Sequence, residues 1–193
     1  MLTGNAATVA RQDIVRLCHS GLDSLALRAE AMRRLRRVLP VESFWFATAD
    51  PATLLFTGSL VDAIPEKATP LFVANEFLQD DVNKWTQLAS DRVPVNSLYL
   101  ATEGRPENST RYRDICLPLG FGDELRAAMR SDGACWGFMC LHRDRRGPNF
   151  DPAEAELLAG LAPHLAEGLR AALLLERAES AGDADEPGLL LLA

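Results

Sequence analysis

The order of hydrophobic and polar positions predicts helices at both ends of the chain and a sheet between them. Apolar residues recur every three or four positions from about residue 9 to 39, which places them on one helical stripe. Ser20-Gly21 interrupts this stripe, so the pattern predicts two helices with a kink between them. Ser20 is the candidate N-cap of the second helix, and Pro40 ends it.

The next part of the chain predicts a hairpin followed by less regular structure. Ser43–Thr48 and Leu54–Gly58 have the composition of strands, and the residues between them favour a turn. A short helix is predicted over 65–78. Residues 79–120 show no sustained period, apart from a possible helical turn after Asp80-Asp81. Irregular segments of this length more often serve binding than core packing.

Two strands joined by a tight turn are predicted in the second half. They cover Asp123–Met129 and Ala134–His142, with Asp132-Gly133 as the turn. The second of these strands is apolar on both faces, which predicts a central position in the sheet. Gly137 lacks a side chain, so we expect a neighbouring group to approach that strand closely.

The last predicted helix is long. Asp151 is a good N-cap, Pro152 and Glu154 suit the first turn, and an apolar stripe continues to about Glu179. Pro163 is expected to bend the helix without ending it. A long terminal helix with a continuous apolar stripe suits a dimer interface.

Composition indicates one folded α+β domain with a tail. Apolar residues make up 48% and charged residues 24% of the 193 residues, as in globular proteins. We therefore divide the chain into a domain over residues 1–178 and a tail over 179–193. In that tail an acidic linker precedes Leu189–Leu192, which is expected to begin a further domain that this sequence does not include.

The charge balance argues against nucleic-acid binding by this chain. There are 20 basic and 27 acidic residues, a net charge of −7, whereas phosphate-binding proteins carry a basic surface. No secretory signal occurs, and no apolar run approaches the roughly 20 residues of a membrane span. We therefore expect a cytoplasmic protein without a membrane contact. One basic cluster falls within an apolar-periodic segment and is interpreted as a solvated helix face: Arg28, Arg33, Arg34, Arg36 and Arg37.

Neither a metal site nor a cofactor is expected, and no catalytic motif is present. The histidines share no metal-ligand spacing, and the cysteines have none of the zinc-type spacings. Cys116 is the one candidate for thiol chemistry, since Arg111 and Arg113 are near it in sequence and cations lower a thiol pKa. The residues in question are His19, His142, His164, Cys18, Cys116, Cys135 and Cys140.

The predicted element order resembles that of a GAF domain. More specifically, the chain resembles the N-terminal GAF-like domain of actinobacterial LuxR-type helix-turn-helix regulators over about residues 10–178. The resemblance implies a central antiparallel sheet with the terminal helices on one face and a ligand-pocket segment on the other. It also implies a homodimer whose DNA-binding domain lies outside this chain. It rests on Phe46–Pro51, Asn75–Leu78, Asp81–Lys84, Arg111–Ile115, Leu117–Gly120, Asp123–Arg126 and Cys135–Gly137.

The same resemblance implies a mostly apolar pocket for a small molecule. Trp136 is the strongest candidate for its wall, because it borders Gly137 on a central strand. Two alternatives remain open, namely a dimerisation scaffold without a ligand and a thiol oxidoreductase like the GAF-fold free methionine sulfoxide reductases. A cyclic-nucleotide motif is matched only in part. The candidate wall residues are Trp136, Trp45, Phe56, Phe72, Phe77, Trp85, Phe121 and Phe138.

Overall fold

The computed structural model describes residues 4–183. In this range six α-helices accompany five β-strands. The helices are α1 (Gly4–Cys18), α2 (Ser24–Leu35), α3 (Thr69–Leu78), α4 (Trp85–Ser90), α5 (Leu98–Ala101) and α6 (Pro152–Asp183). The strands are β1 (Ser43–Ala49), β2 (Phe56–Asp62), β3 (Val95–Ser97), β4 (Phe121–Ser131) and β5 (Ala134–Asp144).

All five strands form one antiparallel sheet. Their order is β2-β1-β5-β4-β3, so β5 is the central strand, as predicted. Asp132 and Gly133 both have positive φ angles, 51° and 78°, which is the geometry that a two-residue hairpin turn requires. The helices α1, α2 and α6 cover one face of the sheet, and the predicted α+β architecture is confirmed.

The helix α6 supplies the largest part of the core on this face. Leu158, Leu161, Leu165 and Leu169 are fully buried against the sheet. Over Pro152–Glu179 the helix is long and apolar enough to cross a membrane, with a mean hydropathy of 1.2 in its most apolar window. This property follows from the length and composition of the helix alone. The burial of its leucines in the core accounts for the same apolar character.

The start of α2 differs from the prediction. Its N-cap is Asp23, whose Oδ1 accepts a hydrogen bond from Ala26 N at 2.7 Å, whereas Ser20 donates to Leu17 O in the preceding turn. The basic cluster is also only partly a solvated face. Arg28 is buried and donates from Nη1 to the carbonyl oxygens of Phe46 and Gly58, so it fastens α2 to the first hairpin.

Several short elements escaped prediction because their sequences carry no period. They are β3, α5, a 3-10 turn at Pro106–Asn108 and one turn of π-helix at Tyr112–Cys116. At the other end, α6 continues to Asp183, beyond the predicted boundary at residue 179. The rest of the predicted linker and the run Leu189–Leu192 lie outside the described residues.

Gly137 lies where β5 comes closest to its neighbours. A Cβ atom at this position would be 2.5 Å from Ala47 O and 2.9 Å from Leu169 Cδ1. Both distances are shorter than a real carbon contact, and the first involves backbone that cannot move aside. The close approach predicted for Gly137 is therefore present, and its partners are β1 and α6.

We expect Gly137→Ala to lower the free energy of unfolding by about 2 kcal/mol, because overpacking of a core has this order of cost. Gly160→Ala in α6 is the matched control, since its new Cβ would meet only Arg11 at 3.8 Å. Alanine is the better helix former, so this control should raise stability by about 0.5–1 kcal/mol. Urea unfolding measures both, and equal effects of the two substitutions would contradict the packing argument.

Candidate ligand-binding site

A cavity of about 370 Å³ lies on the sheet face opposite α1, α2 and α6. It is enclosed by β1, β2, β4, β5, α3, α4 and the loop between β2 and α3. Its mouth carries exposed residues such as Thr69 and Val73, whereas its floor is buried. Small-molecule pockets usually measure about 300–1,000 Å³, so this cavity has room for a compact ligand.

Aromatic side chains form one continuous wall of the cavity. Trp45 on β1 lies edge-on to Phe56 on β2, with ring centroids 4.8 Å apart. Trp85, at the start of α4, is 5.7 Å from Trp45, and Phe72 on α3 lines the opposite side. These four residues were among the wall residues predicted from sequence, and the structure brings them together.

Three further predicted residues do not line the cavity. Phe138 is buried beneath the wall, 5.0 Å from the Trp85 ring and 5.8 Å from the Phe56 ring. Phe77 is half exposed and touches the wall from outside, 6.0 Å from Phe56. Phe121 stacks on the His142 ring at 4.4 Å, away from the cavity.

Trp136 does not lie beside the cavity, and its predicted placement is wrong. The β4–β5 register shifts next to it, since Met129 pairs with Gly137 and Arg130 with Cys135. This irregularity leaves Trp136 without a cross-strand partner and turns it toward the core under the helices. Strict alternation of side chains along β5 would place Trp136 on the same face as Phe138.

The floor of the cavity is polar, with Arg126 at its centre. Its Nη1 donates to Glu76 Oε2 at 2.8 Å and to Asn83 O at 3.2 Å. Its guanidinium carbon lies 4.2 Å from the centroid of the Trp85 ring, which is a cation–π contact. Arg126 is 2% exposed and Glu76 is 8% exposed, so both charges are held in the interior.

Arg126 belongs to a buried ion network centred on Glu124. Glu124 Oε1 accepts a hydrogen bond from Arg111 Nε and forms an ion pair with Arg126 Nε, both at 2.8 Å. The remaining Arg111 donors bind Asn75 Oδ1 at 3.1 Å and Val82 O at 2.9 Å. The network thereby joins β4 to α3 and to the segment that follows it.

The network sets the ionisation of its members. Burial opposes the charge of Glu124, but Arg111 and Arg126 outweigh burial and hold the pKa of this carboxyl well below its usual range. Burial also opposes the charge of Arg126, and Glu124 reverses the effect, so the Arg126 pKa is raised. Both residues therefore stay charged near neutral pH.

The cysteines on this side of the sheet are buried, and Cys116, the candidate for thiol chemistry, is among them. Burial first, and then the negative charge of Glu124, raise the pKa of the Cys116 and Cys140 thiols well above the ordinary value. Arg111 does act on Cys116 in the expected direction, but its effect is smaller. Neither thiol therefore has the lowered pKa of a reactive cysteine.

Sequence reasoning missed the polar floor. Glu76, Arg126 and Cys140 line the cavity, and Glu124 and Arg111 hold Arg126 in place. The only local signal is on β4 and β5, where polar residues alternate with apolar ones. This alternation places a set of four residues on the cavity face: Glu124, Arg126, Cys140 and His142. That signal identifies the face, but it does not show which distant residues neutralise the charges.

Comparison with known proteins agrees with this architecture. The GAF domain family matches residues 23–169, which covers the sheet, α2 and the first half of α6. The chain therefore belongs to the GAF domain family, and it is a GAF domain of the sensory and regulatory kind found in signalling proteins. No curated protein sequence matches it.

Solved GAF structures share the fold at low sequence identity. The GAF domain of a phosphoenolpyruvate-protein phosphotransferase from Acinetobacter is 12% identical, with a TM-score of 0.59, covering 90% of this chain and 98% of that one. The GAF domain of a putative sensor histidine kinase from Pseudomonas syringae pv. tomato is 16% identical, with a TM-score of 0.57 and coverage of 92% and 94%. The VqsR LBD domain from Pseudomonas aeruginosa is 13% identical, with a TM-score of 0.53 and coverage of 89% and 98%.

We expect Glu124→Gln to lower the free energy of unfolding by about 3–5 kcal/mol, because it leaves two buried guanidinium groups without their shared anion. Glu30→Gln is the matched control. It removes an exposed ion pair with Arg33 and should leave stability unchanged. Thermal and urea unfolding of both variants provide the measurement, and a mild effect of Glu124→Gln would show that the network is not stabilising.

Proposed function

We propose that this chain is the small-molecule-sensing input domain of a LuxR-type transcription regulator, and that it acts by binding rather than by catalysis. The cavity is the observation that carries the proposal. It joins an aromatic wall to a charged floor, so it suits a compact, largely apolar or aromatic molecule with one polar group. DNA binding would belong to a part of the regulator outside this chain.

Arg126 supports a ligand with a polar or anionic group. Among residues 4–183 it is the one arginine that lines the cavity, and its cation–π contact leaves the guanidinium fixed against Trp85. A fixed donor loses little side-chain entropy when it binds a ligand. Glu76 already neutralises part of its charge, so a neutral hydrogen-bond acceptor suits this floor as well as an anion does.

The helix α3 is the part of the cavity wall whose position a bound ligand would fix. Only Asn75 and Glu76 of this helix are buried, while Leu78 is 82% exposed. Phe72 and Val73 reach the cavity from the same helix. A ligand that contacts these side chains binds better to the arrangement with α3 closed, and this differential affinity is what shifts a two-state equilibrium.

The central strand β5 connects the cavity to the terminal helices. Cys140 lines the cavity, while Met139 and Leu141 on the other face belong to the core beneath α1, α2 and α6. Cores are packed closely, so a displacement of β5 requires the helices to repack. This connection gives ligand binding a route to the helices through which the domain is proposed to dimerise.

Thiol oxidoreductase activity receives less support. Cys116 and Cys140 are buried and their pKa values are raised, opposite to the thiolate character that catalysis by a cysteine requires. A scaffold without a ligand is the other alternative. The cavity favours sensing over that alternative, because a scaffold gains nothing from an unfilled aromatic wall.

Ligand binding can be tested with the fluorescent probe 1-anilinonaphthalene-8-sulfonate, which combines an aromatic body with one anionic group. We expect one probe to bind per chain, and Phe72→Ala to weaken binding about tenfold or more by removing one aromatic wall. Trp136→Phe is the matched control, because Trp136 lies on the opposite face, and it should leave affinity unchanged. Equal effects of the two substitutions would contradict the cavity as the site.

Dimerisation through the terminal helices predicts that a charged substitution of an exposed leucine on α6 disrupts the dimer, whereas the same substitution on α3 does not. Leu175 on α6 is 53% exposed, near the place where Ser24 N donates to Glu176 Oε1 at 2.7 Å and joins α2 to α6. Leu175→Glu should convert the dimer to a monomer in sedimentation analysis. Leu78→Glu, on α3 at the other face, should leave the dimer intact. A wild-type chain that sediments as a monomer would refute the interface.

A further inference from the structure

A second cluster of potential ligands shares Glu124 with the ion network and adjoins the cavity wall at Phe72, whose ring centroid is 5.9 Å from that of His142. The Cys116 Sγ, one Glu124 carboxylate oxygen and one His142 ring nitrogen all lie within 4.8 Å of one another, and all three residues are buried. Cys140 adds a fourth donor, since its Sγ is 3.2 Å from Glu124 Oε2 and 3.3 Å from His142 Nε2. Both cysteine sulfurs therefore lie close to the Glu124 carboxylate and to the His142 ring.

The spacing of these atoms is close to that of a tetrahedral metal centre. Zinc binds sulfur at about 2.3 Å and nitrogen or oxygen at about 2.0–2.2 Å, so its ligand atoms are about 3.4–3.8 Å apart. Three of the separations in the cluster are 3.2, 3.3 and 3.4 Å, joining Cys140 Sγ, His142 Nε2 and Glu124 Oε2 pairwise. Cys116 Sγ lies within 4.8 Å of the Glu124 and His142 donors and would have to move closer to complete a tetrahedron.

The outer contacts of the ligands are those that a metal centre requires. His142 Nδ1 lies 3.0 Å from Ser43 Oγ, which leaves Nε2 toward the cluster, and Phe121 stacks on the ring and fixes its plane. Arg111 and Arg126 both occupy Glu124 Oε1, which leaves Oε2 facing the cysteines. Such supporting contacts orient metal ligands and raise their affinity.

The charge balance permits a divalent cation despite the nearby arginines. Binding brings two positive charges and releases one proton from each of the two thiols to solvent. The total charge of the buried cluster therefore stays the same, and the ion pairs of Arg111 and Arg126 with Glu124 need not break. Thiolate and imidazole donors select a thiophilic ion such as Zn²⁺ over Mg²⁺ or Ca²⁺.

The cavity gives the ion a way in. Cys140 and Arg126 both line it, so the cluster lies directly behind the cavity floor. We propose that Cys116, Cys140, His142 and Glu124 form a four-coordinate binding site for Zn²⁺ or a similar thiophilic divalent cation. None of the aromatic wall residues is a ligand of this site, so Co²⁺ titration and probe binding test the two proposals separately.

Titration of the reduced, metal-free chain with Co²⁺, a spectroscopic substitute for Zn²⁺, tests the site. We expect one equivalent to bind with a thiolate-to-cobalt charge-transfer band, and Zn²⁺ to displace it. A wild-type chain that binds no Co²⁺ with such a band overturns the proposal, whatever the variants do.

The variants identify the ligands. Cys116→Ala and Cys140→Ala should each abolish the charge-transfer band or lower Co²⁺ affinity at least a hundredfold. Cys135→Ala is the matched control, since Cys135 is also buried on β5 and faces the same side but lies outside the cluster. A band of wild-type intensity formed with wild-type affinity in the first two variants, or loss of the band in the control, contradicts the assignment.

Ser43→Ala provides a measurement that does not depend on removing a ligand. This substitution removes the hydroxyl that contacts His142. It should lower Co²⁺ affinity about 10–100-fold and leave the stoichiometry and the charge-transfer band unchanged. A purely structural role for Ser43 would lower stability and leave the affinity unchanged.

Discussion

The buried ion network around Glu124 is the constraint on which this side of the molecule depends. Arg111 and Glu124 are fully buried and Arg126 nearly so. An unpaired charge in such a place is strongly unfavourable, so both arginines require the Glu124 carboxylate that they share. Because Arg111 belongs to the irregular segment and Glu124 to the sheet, this requirement fixes the segment to the sheet. Arg126 extends the constraint to α3 through Glu76, and the cavity forms between the elements that the network holds.

The two faces of the sheet are consequently stabilised by different physics. Under α1, α2 and α6 the contacts are aliphatic and closely packed, with Leu161 and Leu165 completely excluded from water. On the other face, aromatic rings and hydrogen-bonded charges surround an open volume. Opening a void in an apolar core destabilises the fold, whereas directional hydrogen bonds hold their groups apart at set distances. This difference explains why the cavity lies on the charged face.

The central strand β5 meets both environments. Its apolar side chains enter the helical core, while Cys140 and His142 point to the charged face. The proposed ligand pocket and the proposed metal centre would thus act on the same strand from adjacent positions. Their chemistry differs, since one depends on aromatic contact area and the other on thiolate and imidazole donors, so the two inputs are separable by experiment.

Sequence alone determined the elements whose signal is local. The period of apolar residues gave α6 and the two N-terminal helices, Asp132-Gly133 gave the hairpin turn, and the apolar faces of β5 gave its central place. The aromatic wall was found in part because Trp45, Phe56, Phe72 and Trp85 are large apolar residues near strands or helices. Only the tertiary structure decided the side on which Trp136 lies, since an irregular strand register reverses the alternation that sequence assumes. It also decided the partners of Glu124, since charges distant in sequence meet only after the chain has folded.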